Sequence, residues 1–313
     1  MKALKITIIA LLAGFSMASC DFLDKEPTKL TPENYFNTPA EANSFLTGIY
    51  AILSQPTFYG GDYMYLVAGD DLSHYGGSGR GPASTGLICN NATTSDNAVT
   101  AFWYALYSGI NRANMFLENI DKVNGFDAGI KEQYIAEARF LRAWFYHYLW
   151  MAYGGVPIIT EVLDNNVSTD IFYPRETAQK TFEFIDKELD EIKDDLPPRR
   201  SGSDLGRASK GAILTLKGWV ELFHASELRN PGKDKKRWEA AAATLKDVID
   251  LQVYHLQPTI LDLWTEATNN NDEVIFDFQM SKQNGGRREG LFGPVFVKGV
   301  QSSWGNMQPT QEL

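Results

Sequence analysis

Cysteine is nearly absent from this sequence, which has two in 313 residues, at Cys20 and Cys89. With Cys20 committed elsewhere, as argued below, no intrachain disulfide can form, and a disulfide-stapled fold is excluded. Histidine is scarce too. His74, His147, His224 and His255 are scattered, and none falls in an HxxxH or CxxC spacing, so neither a metal cluster nor any other cofactor is expected. Basic charge is the third shortage: 29 Lys and Arg face 39 Asp and Glu, a net charge of −10. No basic stripe exists to track phosphates, which excludes nucleic acid as a partner. Beyond residue 15 no apolar run approaches the roughly 20 residues that a membrane-spanning helix needs. A body that is 44% hydrophobic and 22% charged reads as globular and soluble, with one or two domains.

What is present begins at the N-terminus. Lys2 and Lys5 precede an apolar run from Ile6 to Phe15, and the small-residue stretch Ser16-Met17-Ala18-Ser19 leads to Cys20. This order is that of a secretory signal peptide, and its apolar core is too short to span a bilayer. The ending Met17-Ala18-Ser19-Cys20 resembles the bacterial lipobox, with Met where Leu is commoner. The expectation is a cleaved signal over residues 1–19 and a thioether lipid on Cys20, whose acyl chains tether the chain to a membrane at ~0.8 kcal/mol per buried methylene. Losing Lys2 and Lys5 leaves 27 basic residues against 39 acids, a mature charge of about −12.

The remainder is patterned for helices. Ala42, Phe45, Leu46, Ile49 and Ile52 form a stripe within Pro39 to Leu53. Trp103, Leu106, Ile110, Ala113, Leu117 and Ile120 repeat by threes and fours up to a stop at Gly125. An aromatic helix is expected from Glu132 to Tyr153, ended by Gly154-Gly155 and Pro157. Phe182, Ile185, Leu189, Ile192 and Leu196 make a further stripe closed by Pro197-Pro198. Two more helices are expected, at Ala208 to Leu228 and across Trp238, Ala241, Ala242, Leu245, Val248 and Ile249. Glu273 to Phe278 is the best strand candidate, and Trp238 and Trp264 are expected in the core. Paired helices of about twenty residues with small inner-face residues suggest a solenoid, although a strict 34-residue period fits poorly.

Several phrases together resemble the SusD/RagB family of outer-membrane nutrient-binding lipoproteins. They are Cys20-Asp-Phe-Leu-Asp-Lys-Glu-Pro27, Tyr35-Phe36 with Glu41-Ala42 and Gly48-Ile49-Tyr50, and Trp103 through Ile110-Asn111-Arg112-Ala113-Asn114. Ala136-Glu-Ala-Arg-Phe-Leu-Arg-Ala143, leading to Tyr153-Gly-Gly-Val-Pro157, is the most specific. Pro174-Arg175-Glu176-Thr177, Gly206-Arg207-Ala208, Trp238 with Ala240-Ala241, and Asn271 to Phe276 complete the ordered set. The resemblance implies a mainly α fold, a tetratricopeptide-like helical solenoid with long loops and a few short strands, occupying residues 20–313. It implies a non-catalytic binder of oligosaccharides, or sometimes peptides, lipid-anchored at the outer membrane and partnered by a TonB-dependent, SusC-like transporter. The segment Trp304 to Leu313 resembles a mid-chain motif of the family, which marks the chain as a member lacking its C-terminal part. Asp21, Asp24 and Glu26 resemble the acidic signals that send such lipoproteins to the cell surface.

Residues that could carry chemistry have competing structural readings. Arg139 and Arg142 could form an anion site, but beside Phe140, Trp144 and Tyr146 they read as packed and ion-paired, for instance with Glu137. His147 reads as a core histidine. Glu137 and Asp70-Asp71 could suggest a glycosidase, which needs two carboxyls at a set separation; adjacent Asp70 and Asp71 fit a cap or turn better. Gly81 to Gly86 has phosphate-loop spacing, but Leu87-Ile88 replaces the required Lys-Ser/Thr. The surrounding Gly-rich stretch, Gly60 to Gly86, reads instead as an exposed loop whose tyrosines and planar polar groups suit a sugar ring and its hydroxyls. By position, the resemblance nominates His74, Tyr75, Arg80, Asn90 and Asn91 from loops before the Trp103 helix, and Phe292, Phe296 and Trp304 from loops after the strand. A protein-binding solenoid scaffold and a surface glycosidase are the alternatives.

Overall fold

The computed structural model describes residues 36–55, 58, 73–74, 93–94, 97–163, 172–263, 265–279 and 308–309. The signal peptide, Cys20, the acidic leader, Asp70-Asp71, Cys89, Trp264 and most of the Gly-rich stretch lie outside the described residues. Among the described residues, six helices carry the fold: α1 (Pro39–Tyr50), α2 (Asn97–Asn119), α3 (Ile130–Tyr153), α4 (Ala178–Ile192), α5 (Lys210–Ala225) and α6 (Lys235–Asp250).

Local chemistry sets most boundaries. Thr38 caps α1 through the Glu41 amide while the Glu41 carboxylate reaches back to the Thr38 amide, and Pro39 occupies the first turn. Such a capping box stabilises a helix start by about 1 kcal/mol. Thr177, Ser209 and Asp234 cap α4, α5 and α6 in the same way, each accepting from a backbone N–H of the first turn. At the end of α3, Gly154 takes φ +77 and donates its N–H to the Trp150 carbonyl. That left-handed conformation is cheap only for glycine.

Consecutive helices pack antiparallel, as residue pairs across each seam show. Trp103 and Gly109 of α2 meet Tyr153 and Phe145 of α3, and Arg139 and Trp150 of α3 meet Glu188 and Phe182 of α4. Asp186 of α4 lies by Lys217 of α5, and Gly218 of α5 lies against Leu245 of α6. The closeness is built into the glycines: a Cβ at Gly109 would sit 2.5 Å from the Phe145 ring, and one at Gly218 would sit 2.5 Å from Leu245. The result is the expected helical solenoid, with α1 laid across α2 and α3. α3 is the central helix and buries residues almost all round, from Ala136 to Trp150, as a helix enclosed by neighbours must.

Three expectations fail in detail. Residues 273–278 form no strand. Instead Phe276 and Phe278 turn inward onto the core, Phe276 lying 5.3 Å from both Phe140 and Trp144, so aromatic burial replaces a ladder. Trp238 is 47% exposed and Ile249 is 74% exposed. α6 packs mainly on α5, and its apolar stripe is wider than the one surface it meets. The fifth helix is also shorter than Ala208 to Leu228, running from the Ser209 cap to Ala225. The only strands among the described residues are β1 (Ser73–His74) and β2 (Gln308–Pro309), paired antiparallel.

Charge is buried at two knots on α3. Glu137 of α3, 1% exposed, accepts from the Tyr50 hydroxyl at 2.7 Å, from Arg200 Nη2 at 2.9 Å and from Arg207 Nε at 3.0 Å. Arg207 continues to Asn43 Oδ1 and Arg200 to Gln133 Oε1, and the Tyr50 oxygen accepts from the Ala208 amide. Burial pushes the Glu137 carboxyl above its usual range, and Arg207, Tyr50 and Arg200 pull it back down. The second knot holds the Arg139/Arg142 pair, whose partner is Glu188 of α4 rather than Glu137. Arg142 spans Glu188 and Asn114, while Arg139 spans Glu188 and Glu191. The spacing of α3 and α4 across the seam puts Glu188 between both guanidiniums.

Glu137→Ala leaves two guanidiniums buried without their anion and is expected to lower the unfolding free energy by about 3–5 kcal/mol. Denaturant titration should show a lower midpoint at unchanged slope, and a Glu137→Ala/Arg207→Ala double variant should lose less than the sum of the singles.

Candidate functional site

Of the eight residues nominated from the sequence, only the backbone of His74 falls in described structure. Tyr75, Arg80, Asn90, Asn91, Phe292, Phe296 and Trp304 lie outside the described residues. The His74 backbone is nonetheless informative. It pairs with Gln308 while Ser73 pairs with Pro309, so the connection leading to α2 meets the connection that follows Phe278. Tyr75 immediately follows one half of this ladder, and Trp304 is four residues before the other.

Both connections are anchored against the same helix. Phe58, fully buried, stacks on Phe102 of α2 at 5.6 Å and meets Phe145 and Tyr148 of α3 at 6.4 and 5.2 Å. Phe276 meets Phe140 and Trp144 of α3. Residues 140, 144 and 148 recur every fourth position, so they line one face of α3. That aromatic face seats the root of each connection. Phe58, missed as an anchor in the sequence, was signalled only by being an aromatic residue between Pro56 and the Gly-rich stretch.

Other chemistry-bearing candidates are spoken for. Glu137 is enclosed by donors and cannot serve as a free acid or base. The Arg139/Arg142 pair is saturated by Glu188 and Glu191, so it is no anion site. His147 lies in the core at 3% exposure, with neither ring nitrogen in a well-formed hydrogen bond. Burial lowers its pKa to about 4, with the Trp144 backbone pulling slightly the other way. No group of His, Cys, Asp and Glu that could hold a metal occurs among the described residues. A cleft of about 310 Å³ opens between residues 199–207 and 270–277, lined by Arg199, Arg200 and Arg207. Its arginines are already engaged: Arg199 with Asp272 and the Asn270 and Asn271 carbonyls, the other two with Glu137. It is a seam of the fold.

The groove along α2 is sealed by polar staples. Tyr107 donates to the Pro157 carbonyl, Asn114 to those of Ile159 and Glu161, and Glu118 accepts from the Val162 amide. No helix among the described residues is long and apolar enough to cross a membrane.

Residues 21–218 match the model of a SusD-like family described as starch-binding, associating with the outer membrane. The chain belongs to the SusD-like family. SusD-like protein P38 of Formosa agariphila is 25% identical over 323 aligned positions, covering 96% of this chain and 58% of that protein. The chain thus spans little more than half the length of this relative. A SusD homolog from Bacteroides thetaiotaomicron superposes with a TM-score of 0.74 at 29% identity, over 91% of this chain and 57% of the other. Surface glycan-binding protein A from the same species, in complex with laminarihexaose, superposes at 0.72 with 20% identity, over 88% of this chain and 60% of the other, and so shares the fold.

His147 makes the aromatic face of α3 sensitive to acid. Its folded pKa is depressed from 6.5 to about 4, so the unfolded chain binds the extra proton. Stability is fully present above about pH 6.5 and falls as pH drops towards 4, by up to ~3 kcal/mol from this residue. Melting the wild type and His147→Phe between pH 7 and 4 should give a flatter profile for the variant.

Proposed function

We propose that this SusD-like protein is a cell-surface lipoprotein of the outer membrane, anchored through Cys20, which captures an oligosaccharide without chemically altering it. The observation that carries this reading is the β1–β2 ladder, where two connections rooted on one aromatic face of α3 meet. In this reading His74, Tyr75, Arg80, Asn90 and Asn91 come from one side and Phe292, Phe296 and Trp304 from the other. Aromatic rings would stack on the apolar face of a pyranose, and the amide and guanidinium groups would bracket its hydroxyls. The glycan class is supported by the family description and by the laminarihexaose bound to the structurally similar Bacteroides protein. Handing the ligand to a TonB-dependent, SusC-like transporter completes the proposal.

No catalytic step is part of it. The carboxylates that could have tempted a glycosidase reading are Asp70-Asp71 and Glu137, and the last is locked in its arginine knot. Carrying the acyl groups on Cys20 predicts that Cys20→Ala is released from membranes and takes up no labelled fatty acid.

Affinity electrophoresis of the folded Cys20→Ala chain through plant, microbial and host polysaccharides tests the binding. One class of polysaccharide is expected to retard the chain with no sugar released, and Trp304→Ala or Tyr75→Ala should weaken retention about tenfold, the loss of roughly one stacking contact. Retention unaffected by either substitution would remove the loops from the site. Reducing-sugar release would overturn the non-catalytic reading.

A further inference from the structure

Among the described residues, five of the nine arginines face a carboxylate: Arg139, Arg142, Arg199, Arg200 and Arg207. Arg175, Arg229 and Arg237 face none among the described residues; Arg175 and Arg229 lie at the C-terminal end of α3, and Arg237 lies beside Arg229 at the end of α5. Arg175 Nη2 donates to the Tyr153 carbonyl and Arg229 Nη2 to the Trp150 carbonyl, each at 3.4 Å. The Arg229 guanidinium also passes within 3.8 Å of the Cβ position at Gly154, so it and Arg175 flank the same Tyr153–Gly154 peptide. Arg237 Nη1 donates to the carbonyls of Arg229 and His224 at 2.8 and 3.3 Å. Arg229 Nε is buried with no partner.

A helix C-terminus carries about half a negative charge, which one guanidinium more than neutralises. Two leave a local positive excess at this end in a chain whose net charge is −10. Nearby His224 has its pKa lowered to about 4 mainly by burial and then by Arg237, while Asp186 and Glu183 pull it back up and Arg229 adds a smaller lowering.

Beside this charge lies an aromatic ledge. Trp103 meets Tyr153 edge-on at 5.0 Å and Tyr107 at 4.8 Å; Trp103 and Tyr153 are half-buried, and Tyr104 is 69% exposed. Phe172, three residues before Arg175, is 81% exposed.

We propose that the C-terminal end of α3 is a second ligand site, which reads an acidic oligosaccharide: Arg175 and Arg229 take its carboxylate or sulfate, and the Trp103–Tyr153 ledge bears the sugar ring. The glycan part of this assignment rests on the function proposed above, whereas the anion site stands on its own geometry. Planar guanidiniums suit either oxyanion through paired N–H donors.

The test is affinity electrophoresis of the Cys20→Ala chain in polygalacturonate, in a sulfated galactan and in neutral laminarin. The comparison set is Arg175→Gln and Arg112→Gln. Among the described residues Arg112 bonds only to the Gly48 carbonyl, so its substitution removes the same charge away from the site. An acidic polymer repels this protein in general, so its retardation in either acidic gel supports the site, and the two gels separate carboxylate from sulfate. Arg175→Gln is expected to weaken that retention about tenfold, while Arg112→Gln leaves it unchanged. Added salt should weaken it as well.

If Arg175→Gln and Arg112→Gln behave alike, or if the folded chain runs freely in both acidic gels, the guanidiniums only cap α3 and the proposal falls. Trp304→Ala keeps the two sites apart. Loss of laminarin retention with acidic retention intact separates the loop site from this one, and free passage in laminarin with Arg175-dependent retardation in the acidic gels supports this site while overturning a neutral-glycan loop face.

Discussion

The buried carboxylate of Glu137 is the contact on which the rest of the structure leans. It lies on the central helix and is reached by Tyr50 at the end of α1 and by Arg200 and Arg207 in the turn between α4 and α5. Elements 63 to 87 residues apart in the chain therefore share one anion. A buried pair of this kind is weak evidence for net stability, because desolvation offsets much of the attraction. Its consequence is geometric: a slip of α1 or of the 199–208 segment leaves charges without partners, so their register against α3 is held.

α3 also carries the roots of both connections. Its two charge knots lie on opposite sides, Glu137 towards α1 and the 199–208 segment and Arg139 and Arg142 towards α4, and the rings of Phe140, Trp144 and Tyr148, on the Glu137 side, seat Phe58 and Phe276. At the far end of α3, Tyr153 and Gly154 meet Arg175 and Arg229, which face no carboxylate among the described residues, so a single helix carries the roots of the proposed glycan loops and the proposed anion site.

Much of this architecture was legible before any coordinates. The stripe within Pro39 to Leu53 was read directly, and the caps at Thr38, Thr177 and Ser209, which were not singled out, are also local events, each set by a side-chain oxygen within three residues of the amide it satisfies. The apolar spacing of Trp103 to Ile120 and of Phe182 to Ile192 likewise needs only the helical period. What failed was whatever depended on a distant partner. Glu273 to Phe278 has the residues of a strand, but a strand exists only where a second one lies alongside, and here the α3 rings offered burial first. Trp238 and Ile249 have the spacing of core residues, yet burial depends on a neighbour on each side, and α6 packs chiefly against α5. Arg139 and Arg142 were rightly read as paired, though with Glu188, some fifty residues away, and not with adjacent Glu137.

The sequence by itself determined the helical class, the helix order and their approximate ends, the family, and the acidic balance of charge, because composition and periodicity are properties of neighbouring residues. Only the tertiary structure decided which carboxylate each arginine meets, that two connections beginning near residues 58 and 276 rise from one aromatic face, and that Arg175 and Arg229 meet at the end of α3 with no carboxylate facing them among the described residues. Those facts are contacts between residues far apart in the chain, and their geometry follows from how antiparallel helices seat against one another.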